Sequence, residues 1–116
     1  MKANSIIAAL AGTLALAAGG APPNGDPARG KALYTKNMCY TCHGTAGQGG
    51  DRGSGPRIAY DVWPWEGFAA QVRRPREGMP RYDAAHVSDN ELADIYAYVA
   101  AQKRGPKAAE IPLLKE

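Results

Sequence analysis

Residues 38–44 read "MCYTCHG": two cysteines, Cys39 and Cys42, with His43 directly after the second. A pair at this spacing serves four chemistries: a structural disulfide, a zinc site, thiol redox exchange, or covalent attachment of a prosthetic group. The rest of the chain decides among them.

The chain has 116 residues, only two of them cysteine, with 14 Lys and Arg against 11 Asp and Glu. Its start reads as an export signal. Lys2 opens a short basic region, Ile6 to Ala18 run apolar without a charge, and small residues follow. Ala17/Gly19 and Ala18/Gly20 are candidate small pairs before a cut, whereas Pro22 disfavours cleavage after Ala21. The run falls short of the ~20 apolar residues of a spanning helix. Residues 1–21 are therefore expected to be a signal peptide, and the mature protein periplasmic without a membrane span. No cysteine lies near the cut, which excludes a lipid anchor there. The remainder divides into a domain at 22–102 and a tail at 103–116. A core of this size is marginal unless a disulfide, a metal or a large cofactor adds to it. With Lys2 removed the charge is only slightly positive. No aromatic–basic interleaving is present, so nucleic acid is not an expected partner.

The layout reads all-α. Asp26-Pro27 pairs an N-cap acceptor with proline at the first helical position, predicting a helix to about Asn37. Six glycines between Gly44 and Gly55 demand an irregular loop. "WEGFAAQVRR" predicts a second helix that Pro75 stops. "PREGMPRYDAAHV" is again a loop, broken by Gly78 and Pro80. Ser88 and Glu91 form a capping box ahead of "LADIYAYVAAQ", where Leu92, Ile95, Tyr96 and Val99 fall on one face. The tail beyond Gln102 carries Gly105, Pro106 and Pro112 and is expected to be non-helical or frayed. No alternating run suggests a strand.

Against this layout the four chemistries separate. Thiol exchange uses a βαβ scaffold, and none is visible. Zinc needs four ligands; the chain offers Cys39, Cys42, His43 and His86, and the adjacent Cys42 and His43 do not easily face one ion. A plain Cys39–Cys42 bridge leaves the histidine incidental and predicts a colourless interaction module. The sequence C-x-x-C-H signals c-type haem attachment. Two thiols on one helical turn each reach a vinyl group, and the next residue lifts its imidazole to the iron. Export and an all-helical chain support that reading.

The chain resembles the class I cytochromes c over about Asp26 to Gln102. The matching features come in the family's order: "GKALY", "CYTCH", "GPR", "GMP" and "LADIYAYV". The resemblance implies a small fold of three to four helices around one covalently bound haem c. It also implies that the first and last helices cross where Gly30 and Tyr34 meet Ile95 and Tyr98. A mid-helix glycine costs ~1 kcal/mol relative to alanine, which close approach of another helix would explain. Tyr98 lies at the edge of the apolar face and is expected to make a crossing contact rather than a deep core one.

By the same resemblance His43 is one axial ligand. Of the three methionines, Met1 leaves with the signal and Met38 adjoins Cys39 on the attachment side. Met79, in a Gly-Met-Pro loop between helices, is placed to supply the second ligand. His86 is the rival, giving a bis-histidine haem. A neutral thioether favours ferrous iron and raises the potential. Pro56 matches the family's carbonyl acceptor for the proximal imidazole, Arg57 a propionate partner, and Ile58 a residue against the ring edge. Trp63, Trp65 and Tyr82 are candidates to line the crevice. The loop glycines are expected to let backbone lie close to the porphyrin; they match no phosphate-binding motif, since Arg52 stands where a dinucleotide fingerprint needs glycine.

Arg73, Arg74, Arg76 and Arg81 bracket the Met79 loop, offset in part by Glu77 and Asp83. They form an expected steering surface for an acidic redox partner, such as a periplasmic dehydrogenase, oxidase or reductase. Ile111, Leu113 and Leu114 in the tail offer a second docking strip. The expected function is single-electron carriage, as a free shuttle or a dehydrogenase subunit, with no enzymatic acid, base or nucleophile. The competing expectation is a haem enzyme or gas sensor with an open sixth position.

Overall fold

The computed structural model describes residues 23–115, so the expected signal peptide lies outside the described residues. Among the described residues there are four α-helices: α1 Pro27–Lys36, α2 Tyr40–His43, α3 Trp65–Arg73 and α4 Asp89–Ala100. No strand occurs among the described residues. The architecture is all-α and compatible with the small cytochrome c fold. Short 3-10 turns sit at Asp51–Gly53, Ala108–Glu110 and Pro112–Leu114, the last two in the tail.

Local chemistry fixes the ends of the long helices. The Asp26 carboxylate accepts from the Arg29 N–H at 2.8 Å, and Pro27 preorganises the first turn of α1. At the other end the Asn37 side-chain amide donates to the Leu33 carbonyl at 2.9 Å. Met38 then turns the chain into α2 through a left-handed backbone, φ 59°. In α4 the reciprocal box forms as the sequence predicts: Ser88 Oγ accepts from Glu91 N–H, and Glu91 Oε2 from Ser88 N–H.

Helices α1 and α4 cross at Gly30, where a Cβ would run into the Asp94 carbonyl and the Tyr98 Cβ. The Tyr34 and Tyr98 rings pack beside this point with centroids 5.3 Å apart and planes tilted by 57°. The core comprises Tyr34, Ala59, Phe68, Val87, Leu92, Ile95, Tyr98 and Val99. Helix α3 joins it edge-on, with Trp65 and Phe68 at 5.5 and 5.1 Å from the Tyr96 ring.

Two expectations for α4 change. Tyr98 makes the expected crossing contact but is also buried in the core, because the missing side chain at Gly30 lets it enter the crossing. Tyr96 is only half-buried, because its hydroxyl reaches out to the Trp63 carbonyl at 3.0 Å. Asp94 is buried at 5% exposure, which periodicity did not indicate. Its carboxylate accepts from the Asp26 N–H at 2.6 Å and from Arg29 Nε and Nη2 at 2.9 and 3.1 Å. Helix α1 is thereby tied at its N-terminus to the middle of α4.

Candidate functional site

Cys39, Cys42 and His43 share a single helical turn. The His43 N–H donates to the Cys39 carbonyl at 3.0 Å. Both cysteines are free and half-buried, and burial pushes the Cys39 thiol up to about 11. His43 is buried, and its Nδ1 lies 2.8 Å from the Pro56 carbonyl oxygen. A carbonyl only accepts, so Nδ1 carries the proton and donates it. The lone pair is then left on Nε2, where a metal can take it.

The glycine-rich loop is wound onto α2. The Gly49 N–H donates to the His43 carbonyl at 2.8 Å, and the Ile58 and Ala59 N–H groups both donate to the Gly47 carbonyl at 2.9 Å. A Cβ at Gly50 or Gly55 would collide with the Cys42 carbonyl. At these two glycines the close approach is to the backbone of α2, whereas a Cβ at Gly44 would meet the Gln48 side chain and the Gly49 carbonyl. Two buried tyrosines brace the chain just beyond the histidine: Tyr34 and Tyr98 hydroxyls donate to the Gly44 and Thr45 carbonyls, each at 2.7 Å. Burial holds the Tyr34 hydroxyl well above its ordinary pKa, so it is a permanent donor. Pro56 follows this loop, with Ile58 half-buried against the core and Arg57 exposed. Arg57 pairs with Asp61 at 3.4 Å. Asp61 also binds Arg104 of the tail, whose guanidinium stacks 5.2 Å from the Tyr60 ring.

Met79 occupies a second group of contacts. It is half-buried, and the Gln71 side-chain amide donates to its Sδ at 3.8 Å and to the Arg76 carbonyl at 3.4 Å. The loop returns past α3, where the Tyr82 N–H donates to the Val72 carbonyl at 3.2 Å and Arg73 Nη1 to the Tyr82 carbonyl at 3.1 Å. The Tyr82 hydroxyl donates to the Asn37 carbonyl at 2.9 Å. Burial raises its pKa, with smaller contributions from the nearby Cys39 and Cys42 thiols. Tyr82 therefore links the Met79 loop to the segment entering α2. His86 is exposed. Trp63 is 60% exposed, whereas Trp65 and Tyr82 pack against the core.

The arginine cluster is not uniform. Arg73 is drawn into an ion pair with Asp89 at 2.7 Å, besides its bond to the loop backbone. Arg74, Arg76 and Arg81 are exposed. Gln71 and the Tyr82 hydroxyl were not picked out by sequence reasoning. Gln71 did carry a signal: it follows Phe68 by three residues and so shares the side of α3 that faces the core.

Among the described residues no three His, Cys, Asp or Glu side chains cluster as a cage for a bare metal ion. The donors present are of another kind. Two thiols on one turn, an imidazole with its lone pair on Nε2 and a thioether fit a covalently held iron porphyrin. Fold and donor types together are those of a c-type cytochrome. Residues 25–99 match the family model described as cytochrome c oxidase, cbb3-type, subunit III. The cytochrome bc1 complex cytochrome c subunit of Corynebacterium diphtheriae is 34% identical over 84 residues. That alignment covers 70% of this chain and 29% of the relative, so this chain spans under a third of that protein. Cytochrome c-555 of Methylococcus capsulatus is 24% identical over 105 residues, 90% of this chain and 85% of the relative. No solved structure gives a significant match. The chain belongs to this cytochrome c family, and with membership comes covalently bound haem c and its iron.

Proposed function

We propose that this protein is an exported single-electron carrier with His43 and Met79 as axial ligands of its haem. Residues 22–102 form the working domain, residues 103–116 a tail, and residues 1–21 the signal that delivers it to the periplasm. The observation that carries the reading is the His43 Nδ1–Pro56 hydrogen bond. It fixes the tautomer, orients the ring, and strengthens Nε2 as a donor.

Cys39 and Cys42 would tether the porphyrin by thioethers, from the turn that also presents His43. Met79 would offer its Sδ from the loop bracketed by Gln71 and Tyr82. When bound, the haem supplies a ferric–ferrous couple that exchanges one electron without making or breaking a substrate bond. The chain needs no acid, base or nucleophile for that exchange. Its work would be to keep the His43 imidazole and the Met79 thioether in place while the group gains and loses its electron. A neutral thioether on one side favours the ferrous state and raises the potential. Arg57, which is exposed and paired with Asp61, would exchange that partner for a propionate, and Ile58 would pack against the ring edge.

Arg74, Arg76 and Arg81 are exposed around the Met79 loop and would steer an acidic redox partner, raising encounter rate more than final affinity. Arg73 is less available for this, being paired with Asp89. The similarity to a bc1 complex subunit supports a fixed place in an electron-transfer complex as much as free diffusion. Among the described residues no helix is long and apolar enough to cross a membrane.

Carbon monoxide tests the axial set. Reduced wild-type protein is expected to bind it slowly or not at all at neutral pH, while Met79→Ala binds it rapidly. Rapid, tight binding by the wild type would replace the carrier reading with an open-site haem enzyme or gas sensor.

A further inference from the structure

We infer that Gln71 is a positioning residue that brackets the Met79 loop and tunes the potential of the iron through the methionine sulfur. The inference rests on the Met79 ligation proposed above. The core-facing side of α3 is otherwise apolar, through Trp65, Phe68 and Val72. Gln71 stands on that side, half-buried. A carboxamide partly shielded from water in this way is favoured to find partners within the protein. Among the described residues its two side-chain hydrogen bonds both go to the loop: the Arg76 carbonyl at 3.4 Å and Met79 Sδ at 3.8 Å. A primary amide nitrogen has two N–H groups, so the two bonds can form together.

Each contact does something different. The bond to the Arg76 carbonyl ties the outgoing limb of the loop to α3. The bond to sulfur restrains a side chain that otherwise has three rotatable bonds. It engages one of the two lone pairs on Sδ and leaves the other for a metal. An N–H donor also draws electron density from the thioether, making it a poorer partner for ferric than for ferrous iron. Gln71 thus raises the potential beyond what thioether ligation alone provides.

Holoprotein carrying Gln71→Leu, which keeps the bulk and removes the donor, tests this beside Gln71→Glu and Met79→Ala. Three readouts apply at neutral pH: the midpoint potential, the long-wavelength ferric band of the iron–thioether bond, and the imidazole concentration that abolishes that band. In the Leu variant the ferrous-to-ferric ratio at fixed applied potential is expected to fall severalfold, a tenfold fall being about 59 mV for one electron. Imidazole should displace the thioether at severalfold lower concentration. The Glu variant, with no donor and an added negative charge, should fall further in potential and supplies a second reading if Leu does not fold. Wild-type potential and imidazole affinity in the Leu variant, or a Glu variant no lower than wild type, would overturn the role of Gln71 alone. A wild-type ferric protein without the band, or a band that survives Met79→Ala, would overturn the ligation and this inference with it.

Discussion

Asp94 is a charged residue that packs as a core one. Its carboxylate takes three donors, two from the Arg29 guanidinium and one from the Asp26 backbone, and these hold it below the usual carboxylate range. The Arg29 guanidinium is raised in turn, chiefly by its hydrogen bond to Asp94. A carboxylate with a depressed folded pKa stabilises above its unfolded pKa of ~3.9, and that contribution is lost as pH falls through the folded value. The Arg29 shift lies above the ordinary arginine range and adds no dependence near neutrality. Asp94→Asn keeps the shape but loses charge and part of the acceptor capacity. It is expected to cost about 1–2 kcal/mol at pH 7, with the gap from wild type narrowing below about pH 4. Thermal melts of both proteins across that range check it. Position 94 shows why this residue was not legible in the sequence. A lone aspartate in a helix reads as solvent-facing, and its partner Arg29 is remote along the chain.

At the scale of elements, helix ends were legible and helix depths less so. Asp26-Pro27, Pro75 and the Ser88–Glu91 box act within a few residues of themselves, and α1, α3 and α4 begin or end where they direct. Which side chains reach the core depends on the partner helix. The Gly30 crossing draws Tyr98 inward, and the Trp63 carbonyl holds Tyr96 half-way out. Gly30 and Gly67 separate propensity from packing. Alanine at Gly67 of α3 meets only ordinary contacts with Trp63 and should stabilise by about 0.5–1 kcal/mol. Alanine at Gly30 gains the same propensity but must push α4 away, and should destabilise by about 1–3 kcal/mol net. On a domain of this size each kcal/mol is a melting shift of roughly 4–8 °C. The two variants should therefore move in opposite directions in one calorimetric series; a Gly30→Ala protein as stable as wild type would contradict the crossing.

For the whole molecule, the attachment motif was legible because its chemistry is contained in five consecutive residues, Cys39 to His43. The acceptor for His43 lies thirteen residues on, at Pro56, and was reachable only through the resemblance. The bracket on Met79 was legible only as the place of Gln71 on the core-facing side of α3, since its partners in the loop, the Arg76 carbonyl and Met79, are brought to it by the turn out of α3. These pieces make one device: a turn that presents an imidazole, a loop wound behind it, and a methionine loop tied to α3 and, through Tyr82, to the segment entering that turn. The device has a purpose only with a porphyrin in it. An intact-mass measurement on protein exported from a host able to mature c-type cytochromes tests this most directly. The predicted result is the processed chain plus one haem that survives acid and organic extraction, with Cys39→Ser/Cys42→Ser falling to the bare chain. A wild-type mass equal to the bare chain, with or without an internal disulfide, would contradict it.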